Sequence, residues 1–118
     1  MGSLAPVALA FDDARAAALS LPGAEEHPHH EIVSFRVRGR IFATAPDEAC
    51  LRVMVDEARV LELVAREPDV YRPVPWGRRV AAVAIDLTRA EAAEVRDLLE
   101  EAWRRRVPPS WVAPGPGR

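Results

Sequence analysis

The sequence predicts an α+β domain, with an antiparallel sheet of about five strands covered by three helices in the order α-β-β-β-α-β-β-α. Three observations predict it. Apolar and polar residues alternate up to Gly39 and a mostly apolar run, Ile41 to Ala45, returns from it, the mark of a hairpin with one buried face. Three segments repeat apolar residues at helical spacing. Pro and Gly punctuate the chain so closely that successive strands have only short connections, which makes them antiparallel neighbours.

The elements follow in order. Phe11, Ala14, Ala18 and Leu21 form one stripe of a first helix, with Asp12 and Asp13 opposing its positive end, and Pro22-Gly23 stops it. Residues 24–31 are polar and rich in His, so they read as a loop. Val33, Phe35 and Val37 then alternate with Ser34, Arg36 and Arg38 as a strand, which turns at Gly39 and returns as Ile41 to Ala45. Pro46-Asp47-Glu48 is a second turn. Leu51, Val53 and Val55 alternate with Cys50, Arg52 and Met54 in a third strand.

Asp56 is placed to cap a second helix, with Ala58, Leu61 and Ala65 on one face and Arg59, Glu62 and Arg66 on the other. Pro68 ends it. Val70 to Val74 is a short strand that its prolines restrict to a sheet edge, and Pro75-Trp76-Gly77 is a turn. Val80 to Leu87 is apolar on both faces apart from Asp86, as expected of a central, covered strand. Thr88 and Glu91 have the spacing of a capping box before a third helix. Ala92, Val95, Leu99 and Ala102 are its buried stripe, and Glu100–Arg104 and Glu101–Arg105 are i,i+4 pairs. Residues 1–10 read as a flexible lead-in, 11–107 as a single domain, and 108–118 as a frayed Pro/Gly-rich tail.

Composition narrows the class. A chain of 118 residues buries roughly two thirds of its unfolded surface and folds without disulfides or metal. One cysteine, Cys50, permits no internal disulfide and points to a reducing, cytoplasmic setting. The apolar stretch within residues 1–10 lacks the basic flank of a signal peptide, and no run approaches the length of a membrane span. Net charge is −2, which argues against a protein that coats nucleic acid through bulk charge. All sixteen basic residues are Arg. A GC-rich coding sequence explains that choice before any function does.

Four stretches, in this order and at these spacings, resemble one family. Leu21-Pro22-Gly23-Ala24-Glu25-Glu26 looks like its opening LPG-x-E-E. Phe35-Arg36-Val37-Arg38-Gly39-Arg40-Ile41-Phe42-Ala43 looks like its F-R-V-x-G-K/R-x-F-A hairpin. Glu67-Pro68 with Val70-Tyr71 matches its D/E-P-x-x-F/Y segment, and Leu98-Leu99-Glu100-Glu101-Ala102-Trp103 its closing helix. Over residues 11–112 the chain thus resembles the MmcQ/YjbR family. The resemblance implies an α+β fold similar to bacterial frataxin and secretion chaperones, and a DNA-binding role through a double wing of two hairpins. The chain departs from the pattern at His27-Pro28-His29-His30-Glu31-Ile32, where members carry Gly and Pro. It departs again at Trp76-Gly77, where they carry a longer His-Trp-Gly run.

The residue types suggest where chemistry would sit. Arg36 and Arg38, two apart, share the polar face of their strand; Arg40 follows the turn, and Arg78 and Arg79 sit at the second turn beside Trp76. Two basic tips and an aromatic suit phosphate contacts and base stacking, so DNA is the first candidate partner. The competing account is a solvated polar face. His27, His29 and His30 with Glu25, Glu26 and Glu31 have metal-ligating side chains, but adjacent residues seldom converge on one ion, and a polar loop explains them. Cys50 has no neighbouring base and reads as a small strand hydrophobe. Trp103 belongs with the third helix's stripe; Trp111 is free to dock back or meet a partner. No catalytic triad, phosphate loop or carboxylate pair is present in the pattern, so neither an enzyme nor a cofactor is expected. The alternatives to DNA are a homodimer or other protein partner, by analogy with secretion chaperones, or a small-ligand or metal-binding domain.

Overall fold

The computed structural model describes residues 9–112. The lead-in and tail outside those limits, Pro114 to Gly117 among them, lie beyond the described residues. The elements are α1 (Phe11–Leu19), β1 (Ala24–His29), β2 (Ile32–Val37), β3 (Arg40–Asp47), β4 (Cys50–Val53), α2 (Glu57–Arg66), β5 (Tyr71–Trp76), β6 (Arg79–Asp86) and α3 (Ala92–Arg104). A short 3-10 turn, Pro109–Trp111, follows. The α+β class and the helix count stand. The sheet has six strands rather than five, all antiparallel, in the order β1-β2-β3-β4-β6-β5.

The added strand is β1, in the segment expected to be a loop. Its backbone pairs with β2 from Ala24↔Val37 to His29↔Ile32. His30 and Glu31, both at positive φ (51° and 70°), make the two-residue turn between them. At the other end of β1, Gly23 takes φ +72° and lies against the Trp111 ring. An added Cβ there would stand 2.9 Å from a ring carbon, so this position combines a close approach with a left-handed backbone.

The three helices cover one face of the sheet. α1 packs on β1 and on α3, α3 on β3 and β4, and α2 on β5 and β6. The core between them holds Phe35, Phe42, Leu51, Val53, Tyr71, Val83 and Ile85 from the sheet, with Val60, Leu63, Val95, Leu98, Leu99 and Trp103 from the helices. Trp103 is buried as expected, and its Nε1 donates to the carbonyl of Pro22 at 2.9 Å. Val83 and Ile85 of the last strand and Leu87 just after it are buried, while the alternate positions Ala82 and Ala84 are small.

Several local expectations are corrected. In α2 the buried residues are Val60 and Leu63, and Leu61 is 51% exposed with Ala58 and Ala65 beside it. The helix carries two apolar stripes. Its phase is set at Asp56, which caps it by accepting from the Arg59 N–H at 2.8 Å. Thr88 and Glu91 form no capping box: Thr88 donates backward to the Asp86 carboxylate (Oγ1 2.6 Å, N 2.9 Å), and α3 begins after Glu91 without a side-chain cap. These bonds hold the Asp86 carboxyl below its usual range. Glu100 pairs with Arg104 at 2.5 Å as expected. Glu101 instead meets Arg59 at 3.1 Å, and Arg105 turns away to another partner.

Tyr71 is fully buried, and its hydroxyl donates to Glu94, which Arg66 also contacts. Burial works to raise the Glu94 carboxyl, but the Tyr71 and Arg66 bonds outweigh it and hold it low. Burial and that same carboxylate push the Tyr71 phenol well above its ordinary value. A raised folded-state pKa stabilises the protein below the unfolded value, about pH 10, and that contribution is lost as pH rises beyond it. Tyr71 is the chain's one tyrosine. An ultraviolet titration for phenolate is therefore expected to show no ionisation near pH 10, then an abrupt step that coincides with loss of circular dichroism. A smooth titration centred near pH 10 in the folded protein would refute the arrangement.

A candidate polyanion-binding end

The strand directions decide which turns meet. β2, β4 and β5 run one way and β3 and β6 the other. The β2–β3 turn, the end of β4 and the β5–β6 turn therefore lie at one end of the sheet. β3 and β6 are separated only by β4, so Arg40 and Arg79, the first residue of each, begin strands that are next-but-one neighbours in the sheet. α3 runs toward the same end and delivers Arg105 and Arg106 between the two tips.

Local chemistry fixes each of these groups. Arg38 and Gly39, at φ 54° and 77°, are the two central residues of a tight turn closed by Val37↔Arg40. Arg38 thus leaves the strand rather than sharing its polar face with Arg36, and its guanidinium lies 5.8 Å from the ring centroid of Trp111, which docks back on the domain. Arg36 stays on the helix-free face of the sheet, its Nε donating to Ser34 Oγ at 3.2 Å. Strand β5 runs through Trp76, which pairs with Arg79. The turn is Gly77-Arg78 rather than Pro75-Trp76-Gly77, with Gly77 supplying φ +64°. Trp76 is 80% exposed, so it does not cap the sheet edge.

Arg105 donates to the carbonyl of Met54 at 2.6 Å and lines a groove with Trp76 and Arg79. Arg106 donates from Nε to the carbonyl of Ile41 at 3.0 Å and lines a second groove with Arg36 and Arg40. Burial, with the like charges of Arg105 and Arg40, pushes the Arg106 guanidinium below its ordinary value. Among the described residues none of Arg38, Arg40, Arg78, Arg79, Arg105 and Arg106 lies within 4 Å of a carboxylate. Asp56 and Glu57 line the Trp76 groove, and Glu25, at the start of β1, pairs in register with Arg36. The opposite end of the sheet carries Glu31, Asp47, Glu48, Glu67, Asp69 and Glu91 in its turns and connections. Its cations Arg66 and Arg89 are paired there.

The structure puts Arg38, Arg40, Arg78, Arg79 and Trp76 at the two hairpin tips and Arg36 on the body of β2. Arg105 and Arg106, just beyond the end of α3 at Arg104, join them at this end and carry no sequence signal that sets them apart from the helix. The His segment does not converge: His27 bonds Glu25 across 3.0 Å, His29 stacks edge-on with His30, and Glu26 meets Arg15 of α1. Among the described residues no three His, Cys, Asp or Glu side chains are grouped to hold a metal ion. Cys50 is half-buried, and burial with the nearby Asp47 pushes its thiol up, away from the reactive thiolate. No helix among the described residues is long and apolar enough to cross a membrane.

Comparison with known proteins follows the fold. A family model described as YjbR matches residues 19–105. The chain is similar to the crystal structure of the Deinococcus radiodurans protein DR2400, which carries a DUF419 domain. Identity is 25%, 84% of this chain and 78% of that chain are covered, and the TM-score is 0.69. No curated protein matches the chain.

Proposed function

The chain belongs to the YjbR family, and on that premise we propose that it is a nucleic-acid-binding module whose basic end grips phosphates while Trp76 stacks an unpaired base. One observation carries the reading: six arginines without carboxylate partners gather at one end of the sheet around an exposed tryptophan. Gathering like charges costs free energy unless an anion comes to them. A tryptophan left four-fifths in water at a hairpin tip contributes nothing to the core, whereas base stacking on such a ring is worth about 1–3 kcal/mol. The net charge of −2 is a sum over the whole chain, whereas the unpaired arginines of the two hairpin tips and the end of α3 are local to one end.

A salt titration of a fluorescent single-stranded oligonucleotide tests the reading. Log affinity is expected to fall linearly with log salt, with a slope near −0.7 for each phosphate contacted. Trp76→Ala is expected to weaken single-strand binding about tenfold without changing the slope, since the ring carries no charge. Affinity weaker than about 10⁻⁴ M at low salt, or affinity indifferent to salt, would sink the proposal.

A further inference from the structure

We infer that the shallow groove between the β2–β3 hairpin and the end of α3 seats one phosphomonoester group, of the kind that ends a nucleic-acid strand, on Arg36, Arg40 and Arg106. Those three guanidiniums and the His29 imidazole line the groove, and no carboxylate does. None of the three arginines has an ion-pair partner among the described residues.

Two of the three are held in place before any ligand arrives. Arg36 is anchored by Ser34 Oγ at 3.2 Å, and its Nη2 lies 3.4 Å from His29 Nδ1. Ser34 is itself fully buried and bonded through Oγ to the carbonyl of His27 at 2.8 Å. Arg106 is anchored by the Ile41 carbonyl at 3.0 Å. A guanidinium has five N–H donors, and these anchors use one or two of them, so each arginine keeps donors for an incoming anion. Arg36 and Arg106 are also partly withdrawn from solvent. Fixed, partly dry guanidiniums bind oxyanions more tightly than the solvated arginines of a hairpin tip, because less ordering and less desolvation remain to be done. Three cations lining one groove suit a doubly charged terminal phosphate better than the singly charged diester within a strand.

The identity of the phosphate's carrier rests on the nucleic-acid reading, whereas the groove's affinity for the phosphate group does not. Two measurements separate them. In the first, thermal unfolding is followed with millimolar inorganic phosphate and with sodium chloride at matched ionic strength. Phosphate is expected to raise the unfolding temperature above chloride, and both Arg106→Gln and the exposed Arg40→Gln are expected to abolish the difference. In the second, 5′-phosphorylated and 5′-hydroxyl oligonucleotides of one sequence are compared. The phosphorylated strand is expected to bind about tenfold tighter, an advantage lost in Arg40→Gln but kept in Arg78→Gln, which weakens both strands alike. Equal stabilisation by phosphate and chloride overturns the groove. So does a phosphate effect that survives both groove substitutions. Stabilisation by phosphate with neither oligonucleotide bound would leave the groove standing with a small phosphomonoester as its ligand, and would overturn the nucleic-acid reading instead.

Discussion

Reversing Arg78 and Arg79 together to Glu is expected to weaken single-strand binding about a hundredfold at low salt and to flatten the salt slope by about 1.4. Both side chains are exposed, and neither bonds to another described residue through its guanidinium. The turn that presents them depends on the backbone of Gly77, which the change leaves alone. Stability should therefore stay within about 0.5 kcal/mol of the native protein, so a loss of binding reads the site rather than the fold. Arg89→Glu at the opposite end is the control. It breaks one exposed pair with Asp86 at 3.7 Å and should leave affinity within about twofold. Unchanged affinity in the Arg78/Arg79 double variant would remove the basic end from consideration.

Phe35→Ala carries the largest expected cost in stability, about 3–5 kcal/mol. The ring is completely buried on β2, in register with Ala43 of β3, and belongs to the layer between sheet and helices. The neighbouring Ala43 is too small to fill the space the ring would vacate. Against a total of about 5–15 kcal/mol for a domain, that cost is a large share of what keeps the protein folded. Urea denaturation should show an earlier midpoint with little change in slope. The contrast is Leu61→Ala, which removes a side chain half in water and should cost less than about 0.5 kcal/mol. Equal losses from the two would mean that α2 faces the sheet with its other stripe.

That contrast marks where sequence reasoning stops. α2 has Ala58, Leu61 and Ala65 on one stripe and Val60, Leu63 and Val64 on another. Periodicity finds both, and only the helix's docking on β5 and β6 decides between them. α3 was legible because its stripe has no rival. The strand β1 was illegible for the opposite reason. It lies at the sheet edge, and its inner positions carry Ala24, Glu26 and Pro28 rather than bulky apolar residues, so no alternation shows. The hairpin tips could be read because Gly39 and Gly77 announce turns. Their meeting at one end could not, because it depends on the β4-to-β6 crossover. The net charge could not show where charges gather, since a sum carries no record of position.

Both outer strands of the sheet hold proline: Pro28 in β1, Pro73 and Pro75 in β5. A proline nitrogen has no hydrogen to give, and in edge strands it is placed facing outward. Neither border can therefore offer a full row of donors to an arriving strand, which is the step that starts domain swapping and fibril growth. The exposed charges of Glu25 and Arg72 on those same strands work in the same direction. Among the described residues one face of the sheet carries no helix, and its borders keep that sheet from growing sideways at high concentration.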